Sequence, residues 1–288
     1  MASSWRGYAF IAPWLIGFLV FVAYPFVASL YLSFCRYDIV SSPAWIGTAN
    51  YRELLVHDTR FWRALGNTLL YAATAVPLGL ATAFLLALLL DRPIRGIAAY
   101  RTVFVLPHVV PVVASSAIFI WVLNPQIGLA NALLGAVGIR GPAWLQDTSW
   151  AMPSLVLLSL WGIGGAVVTY LAALKEVPAA LYEAARVDGA NALQRARHIT
   201  LPMLTPVLFF NLVMGVIGAF QYFTPAYVMT GGGPEDATLV YGLYLFQRAW
   251  RYLDMGYASA MAWILFVVVS ATTLVLFSTQ RKWVKYGD

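Results

Sequence analysis

The sequence predicts an all-α integral membrane protein with six transmembrane helices. Three observations carry that prediction: a mean hydropathy of +0.75, charged residues at only 10% of 288 positions, and six long apolar runs free of Asp, Glu, Lys and Arg. A hydrocarbon core of roughly 30 Å needs about 20 helical residues, and every run supplies that length. The runs are continuous rather than alternating, so helices and not a closed barrel satisfy the backbone in lipid.

The first run, Phe10 to Phe34, is too long for a secretory signal, and no A-x-A-like cleavage site follows it before Arg36. It is read as a retained anchor helix, which with the external segment forms residues 1–64. Five runs in the remaining 65–288 form a core: Leu65 to Leu90, Thr102 to Leu123, Ala151 to Leu174, Met203 to Met229 and Met255 to Thr279. The single Cys35 excludes an internal disulfide. Internal repeats and low-complexity segments are not apparent.

Lys and Arg in the loops orient the chain. With the N-terminus inside, Arg6, Arg92, Arg95, Arg101, Lys175, Arg186, Arg195, Arg197, Arg281, Lys282 and Lys285 are cytoplasmic, eleven of the 18 basic residues. Both termini are therefore expected in the cytoplasm of a multi-pass protein. A net charge of +6 spread over separate loops offers no basic stripe for nucleic acid.

Between spans four and five lies a long polar loop, 175–202. Pro178 suits a helix start, and "AALYEAARV" is rich in helix formers. Asp188-Gly189 then stops the helix, with Gly189 expected in the left-handed conformation. Asn191 is placed to cap a second short helix through Ile199, which Thr200 and Pro202 are expected to end. Composition alone leaves three readings open: a basic loop on anionic headgroups, a plain connector, or a docking element.

The residue pattern adds to this. Glu183-Ala184-Ala185, Asp188-Gly189-Ala190, Ile199 and Leu201-Pro202 closely resemble the EAA motif of binding-protein-dependent ABC importer permeases. "WIGTANY" (Trp45 to Tyr51), Asn67-Thr68, Leu106-Pro107, "MTGGGP" (Met229 to Pro234) and "GYASAMAWIL" (Gly256 to Leu265) are similar to the larger permeases of the maltose, oligosaccharide and glycerol-phosphate branch. The resemblance covers nearly the whole chain. It implies a type I importer transmembrane domain for a sugar or related polyol in a bacterial or archaeal plasma (inner) membrane. It also implies a heterodimer with a second permease, two cytoplasmic ATPase subunits and an extracytoplasmic solute-binding protein. Glu183, Ala184, Ala185, Asp188, Gly189, Arg195, Arg197, Ile199 and Pro202 would then form the coupling element that meets the ATPase. One departure is Ala196, where many relatives of that branch carry an aromatic, usually Phe.

The energy source is argued independently. No lysine sits in a phosphate-binding G-x-x-x-x-G-K-[ST] loop, so ATP and Mg²⁺ are expected in a partner ATPase, and this chain is expected to hold no cofactor or metal and no catalytic residues. An ion-coupled carrier normally needs an ionisable group within the membrane, and His108 is the candidate; a hydrogen-bonded structural histidine near the cytoplasmic side is the favoured reading. A secondary carrier or channel for a small polar solute, working without an ATPase, is the competing class.

For a pathway, Asn211, Gly215, Gly218 and Tyr222 fall on one face of span five at i, i+4, i+7 and i+11. An amide, two small residues and a phenol suit a polyol, although such glycines equally mark close helix packing. Trp161 and Trp263 lie near mid-span, where either would stack on a sugar ring or pack in a core. "GGGP" lacks a following helix start or lysine and reads as a turn.

Overall fold

The structure is a computed structural model that describes residues 4–285, with side chains from Phe10 onward. The side chain of Arg6 and residues 286–288 lie outside the described residues, so the expected siting of both termini does too. In chain order the helices are α1 (Ser4–Phe18), α2 (Tyr24–Ser33), α3 (Ala49–Arg52), α4 (Thr59–Leu90), α5 (Ile97–Val109), α6 (Val112–Val122) and α7 (Leu129–Ala136). There follow α8 (Thr148–Trp161), α9 (Gly164–Glu176), α10 (Ala179–Val187), α11 (Ala192–Arg195), α12 (Leu201–Phe220), α13 (Tyr241–Phe246) and α14 (Met255–Gln280). A two-residue hairpin pairs Cys35–Arg36 with Ala44–Trp45.

Four helical stretches among the described residues are long and apolar enough to cross a membrane: Phe10–Ser33, Thr59–Leu90, Ala192–Phe220 and Met255–Gln280. Two helix pairs pass the same test of length and apolarity together, α5 with α6 bent by 101° and α8 with α9 bent by 45°, and if each pair is one span the number reaches six. The expected unbroken helix over Thr102 to Leu123 is thus corrected. Pro107 and Pro111 each remove a backbone donor, and Pro111 forces Val110 into an extended conformation (ψ 130°), which ends α5. The expected span Ala151 to Leu174 is likewise two helices, separated at Gly162 and Ile163.

A second correction concerns the loop. Thr200 and Pro202 do not end the helix that Asn191 caps; α11 runs through a π turn (Ala196–Thr200) into α12 without interruption. In the π turn the Leu201 N–H bonds to the Ala196 carbonyl, and this wider register absorbs the donor that Pro202 lacks. Span five ends at Phe220 rather than Met229, and Ala226–Thr230 forms a separate turn.

The chain forms two compact units, 1–62 with 244–268 and 63–243 with 269–288. The first is pinned by a buried polar knot. Asp58 accepts hydrogen bonds from Tyr244 (2.6 Å), Tyr257 (2.5 Å) and Arg248 (3.2 Å), and from the Phe61 N–H (3.0 Å). Burial alone would raise the Asp58 carboxyl, but those hydrogen bonds and the Arg248 charge outweigh it and hold the group below its ordinary value. Burial, with the hydrogen bond to Asp58, pushes Tyr244 up to about 12. "WIGTANY" serves the same unit: the Asn50 amide donates to the Ser33 and Cys35 carbonyls, and Tyr51 donates to the Ser33 hydroxyl. Gly256 is needed because any Cβ there would strike the Cys35 carbonyl.

In the second unit, α9 packs against α5 and α12. Val167, Tyr170 and Leu174 of α9 join Ala83, Ala87 and Leu204 in a buried cluster. Asn67-Thr68 ties down the glycine turn that follows span five: the Asn67 amide donates to the Asp236 and Leu239 carbonyls, and the Thr68 hydroxyl accepts from the Tyr241 N–H. The turn expected at "GGGP" is present, with a Gly233-to-Thr230 hydrogen bond of 3.0 Å and positive φ at Gly231 and Gly232.

Candidate functional site

The two helix breaks meet, and a cavity opens where they do. His108, at the last turn of α5, lies 3.2 Å from the Gly162 carbonyl through Nδ1. Gly164 and Gly165 permit this approach. A Cβ on Gly164 would sit 2.9 Å from the Val105 backbone, and one on Gly165 would sit 2.8 Å from the His108 ring. His108 is therefore hydrogen-bonded, as expected. It stands eleven residues, about 16 Å, along α5 from Ile97.

Beside this junction Pro107, His108, Ser115, Ser159, Trp161 and Tyr222 line a cavity of about 340 Å³. It offers an indole, a phenol, an imidazole and two hydroxyls, the mixture of flat apolar faces and hydrogen-bonding groups that suits a polyhydroxylated ring. Phe119 backs Trp161, with ring centroids 5.5 Å apart. Tyr222 stacks on Tyr71 at 4.0 Å. A second cavity, about 370 Å³, shares Ser159 and is lined by Tyr71, Asn211, Gly215 and Gly218.

The face read along span five is thus divided. Asn211 lines the second cavity with its amide N–H turned back to the Val207 carbonyl at 2.9 Å. Gly218 faces open space, whereas a Cβ on Gly215 would come within 3.2 Å of Val76, which marks close packing of α12 on α4. Tyr222 opens onto the cavity that holds Trp161. Trp263 joins none of these; its indole donates to the Ser29 hydroxyl at 3.1 Å and packs on Phe26 and Phe266 in the first unit. His108, Ser115 and Ser159 are not legible in the sequence as a group, because Ser159 stands 51 positions after His108 and meets it only through the breaks.

The loop has the geometry of a hinged pair of helices. Ala190 N–H bonds to Ala185 O and Gly189 N–H to Arg186 O, closing α10, and Gly189 stands at φ +78°. Asn191 and Gln194 then form a reciprocal cap at the start of α11. Tyr182 meets the Thr200 hydroxyl at 2.9 Å, fixing one short helix against the other. Glu183, Ala184, Asp188, Gly189 and Arg197 are exposed, with Val187 (88%) and Leu193 (78%) beside them. Ala185, Arg195, Ile199 and Pro202 are half-buried, and Ile199 packs on the core cluster. Among the described residues no group of three His, Cys, Asp or Glu is placed to hold a metal.

Residues 75–284 match the family of binding-protein-dependent transport system inner membrane components. The chain belongs to that family. This permease is 48% identical to the probable ABC transporter permease protein YesP of Bacillus subtilis, over 97% of the chain and 92% of the relative. It is 34% identical to the sulfoquinovosyl glycerol transport system permease protein SmoG of Agrobacterium fabrum, over 94% and 89%. It is also similar to a crystal structure of a bacterial alginate ABC transporter in complex with an alginate pentasaccharide-bound periplasmic protein, with a TM-score of 0.86, 25% identity, and 99% and 96% coverage. The permease is therefore a multi-helix inner-membrane protein with the all-α type I importer fold, and its relatives are named as transporter subunits rather than enzymes.

Proposed function

We propose that this permease forms half of the translocation pathway of an ATP-driven importer for a carbohydrate or related polyol. It works with a second permease, two ATPase subunits that hold ATP and Mg²⁺, and an extracytoplasmic solute-binding protein; both termini and the 175–202 loop face the cytoplasm. The relatives named for a sulfoquinovosyl glycerol and an alginate support the substrate class.

One observation carries the mechanism. The helix capped by Asn191 continues unbroken to Phe220, about 43 Å at 1.5 Å per residue, so the docking loop and the cavity wall at Asn211 and Gly218 belong to one rod. Movement imposed by an ATPase on Gly189 to Arg197 reaches the cavity without a joint to absorb it. Trp161 and Tyr222 supply stacking faces, and His108, Ser115 and Ser159 supply hydrogen bonds to hydroxyls.

Gly189→Val tests the docking end. A β-carbon in the left-handed conformation costs about 1 kcal/mol, and a branched one more, while no neighbour within 4 Å obstructs it, so only the angle between α10 and α11 changes. The variant is expected to insert and express normally but to lose ATPase on co-purification and to lose coupled uptake. Normal retention with normal uptake would remove the loop from the coupling role, and uptake without ATP would favour a carrier.

A further inference from the structure

The loop has an inner side as well as an outer one. Between the last turns of α4 and the paired short helices lies a cavity of about 680 Å³. Its walls divide by chemistry. Leu85, Leu88 and Leu89, in the last turns of α4, form one wall, whereas Arg92, Arg186 and Arg195 converge from three elements on the other. The acid in this lining, Asp91, is already held by Lys175 at 2.6 Å. Arg92 and Arg186 form no ion pair among the described residues, and one Arg195 N–H is spent on the Ala190 carbonyl. Ala196 also lines the space, and its single methyl leaves volume that a larger side chain would fill.

We propose that this cavity is a binding site for an anionic phospholipid of the cytoplasmic leaflet, with the phosphate among Arg92, Arg186 and Arg195 and an acyl chain along Leu85, Leu88 and Leu89. The proposal rests on the inward orientation of the 175–202 loop given above. Charge complementarity selects the occupant: guanidinium forks match phosphate oxygens, and an apolar wall joined to them at the membrane surface matches a lipid rather than a free ion. Lipid and ATPase then meet opposite sides of one loop, so headgroup contact and docking coexist. An occupied site braces the short helices against α4.

The test uses the complex as purified, stripped of lipid in detergent and titrated with phosphatidylglycerol or phosphatidylcholine under native mass spectrometry. Wild-type protein is expected to retain phosphatidylglycerol preferentially. Arg92→Ala/Arg186→Ala is expected to weaken phosphatidylglycerol by about 25-fold, at roughly five-fold per arginine, with little change for phosphatidylcholine. Ala196→Phe is expected to weaken both lipids by filling the cavity, and Arg92→Lys/Arg186→Lys to restore part of the selectivity. Millimolar inorganic phosphate is expected not to displace the lipid. Equal retention of the two lipids by wild type, unchanged phosphatidylglycerol binding in both loss variants, or displacement by phosphate would each overturn the site. A cysteine at Ala190 in a Cys35→Ser background, labelled from outside intact cells, would instead overturn the orientation.

Discussion

Spans three and five face the same difficulty and resolve it in opposite ways. Each carries two prolines, Pro107 and Pro111 in the first, Pro202 and Pro206 in the second. In span three the chain breaks: Val110 turns extended, α6 leaves α5 at 101°, and His108 is left to bond the Gly162 carbonyl of another broken span. In span five a π turn at Ala196–Thr200 shifts the hydrogen-bond register, and the helix carries on. Proline thus does not dictate a break by itself. The break needs a partner for what it frees, and Gly162, Gly164 and Gly165 supply one by letting His108 and Val105 come close. Under the proposed function, the broken backbone of span three makes room for a solute, while the continuous helix of span five carries movement from the loop.

The strongest way to break this contrast is to deny span three its partner. Gly164→Val would force a branched side chain against the Val105 backbone, where a Cβ already falls at 2.9 Å and neither helix can yield cheaply. The variant is expected to lose several kcal/mol and to assemble poorly, read as loss of membrane-inserted complex on blot and gel filtration. Full assembly would mean that the two breaks do not depend on each other.

Much of this was legible in the sequence, and the exceptions share a cause. Six spans follow from hydropathy, and the turn at Gly189 and cap at Asn191 follow from local stereochemistry, because both depend only on neighbouring residues. The breaks do not. Pro13, Pro77 and Pro153 lie inside helices that continue, so a proline in an apolar run does not distinguish a kink from a break. The cavity of His108, Ser115, Ser159 and Trp161, and the knot of Asp58 with residues almost 200 positions away, are products of tertiary packing. Trp263 shows the converse: an aromatic at mid-span, indistinguishable from Trp161 by position, is taken up by packing against Ser29 and Phe26.

That pair sharpens the contrast at the next level of effect. Trp161→Ala is expected to lower uptake by about tenfold through loss of a stacking face, with basal ATPase activity and assembly retained. Trp263→Phe is expected to leave uptake near wild type. Equal losses in both would mean that the cavity beside the breaks is not the pathway. Tyr222→Ala and Asn211→Leu are expected to follow Trp161 more weakly, each costing on the order of 1 kcal/mol in uptake.

Asp58 gives the most specific effect, a pH dependence confined to the first unit. Its folded value lies below the unfolded one, so the stability it contributes is present above the ordinary carboxylate range and is lost as pH falls through the depressed folded value. Thermal stability is expected to decline on acidification from about pH 4 downward. Asp58→Asn is expected to flatten that decline and to cost about 2 kcal/mol at neutral pH, where Arg248 and the two phenols lose their charged acceptor. An unchanged acid limb in Asp58→Asn would show that the knot does not carry it.

The rod itself can be measured directly. Spin labels at Leu193→Cys and Gln221→Cys, in a Cys35→Ser background, span 28 helical residues and are expected to lie about 42 Å apart by pulsed electron resonance. If the loop and the cavity wall move as one piece, that distance stays fixed between nucleotide-free and ATP-bound complex while substrate access changes. A change of more than about 5 Å between the two states would place a joint inside the helix and contradict rigid transmission from the loop to the cavity.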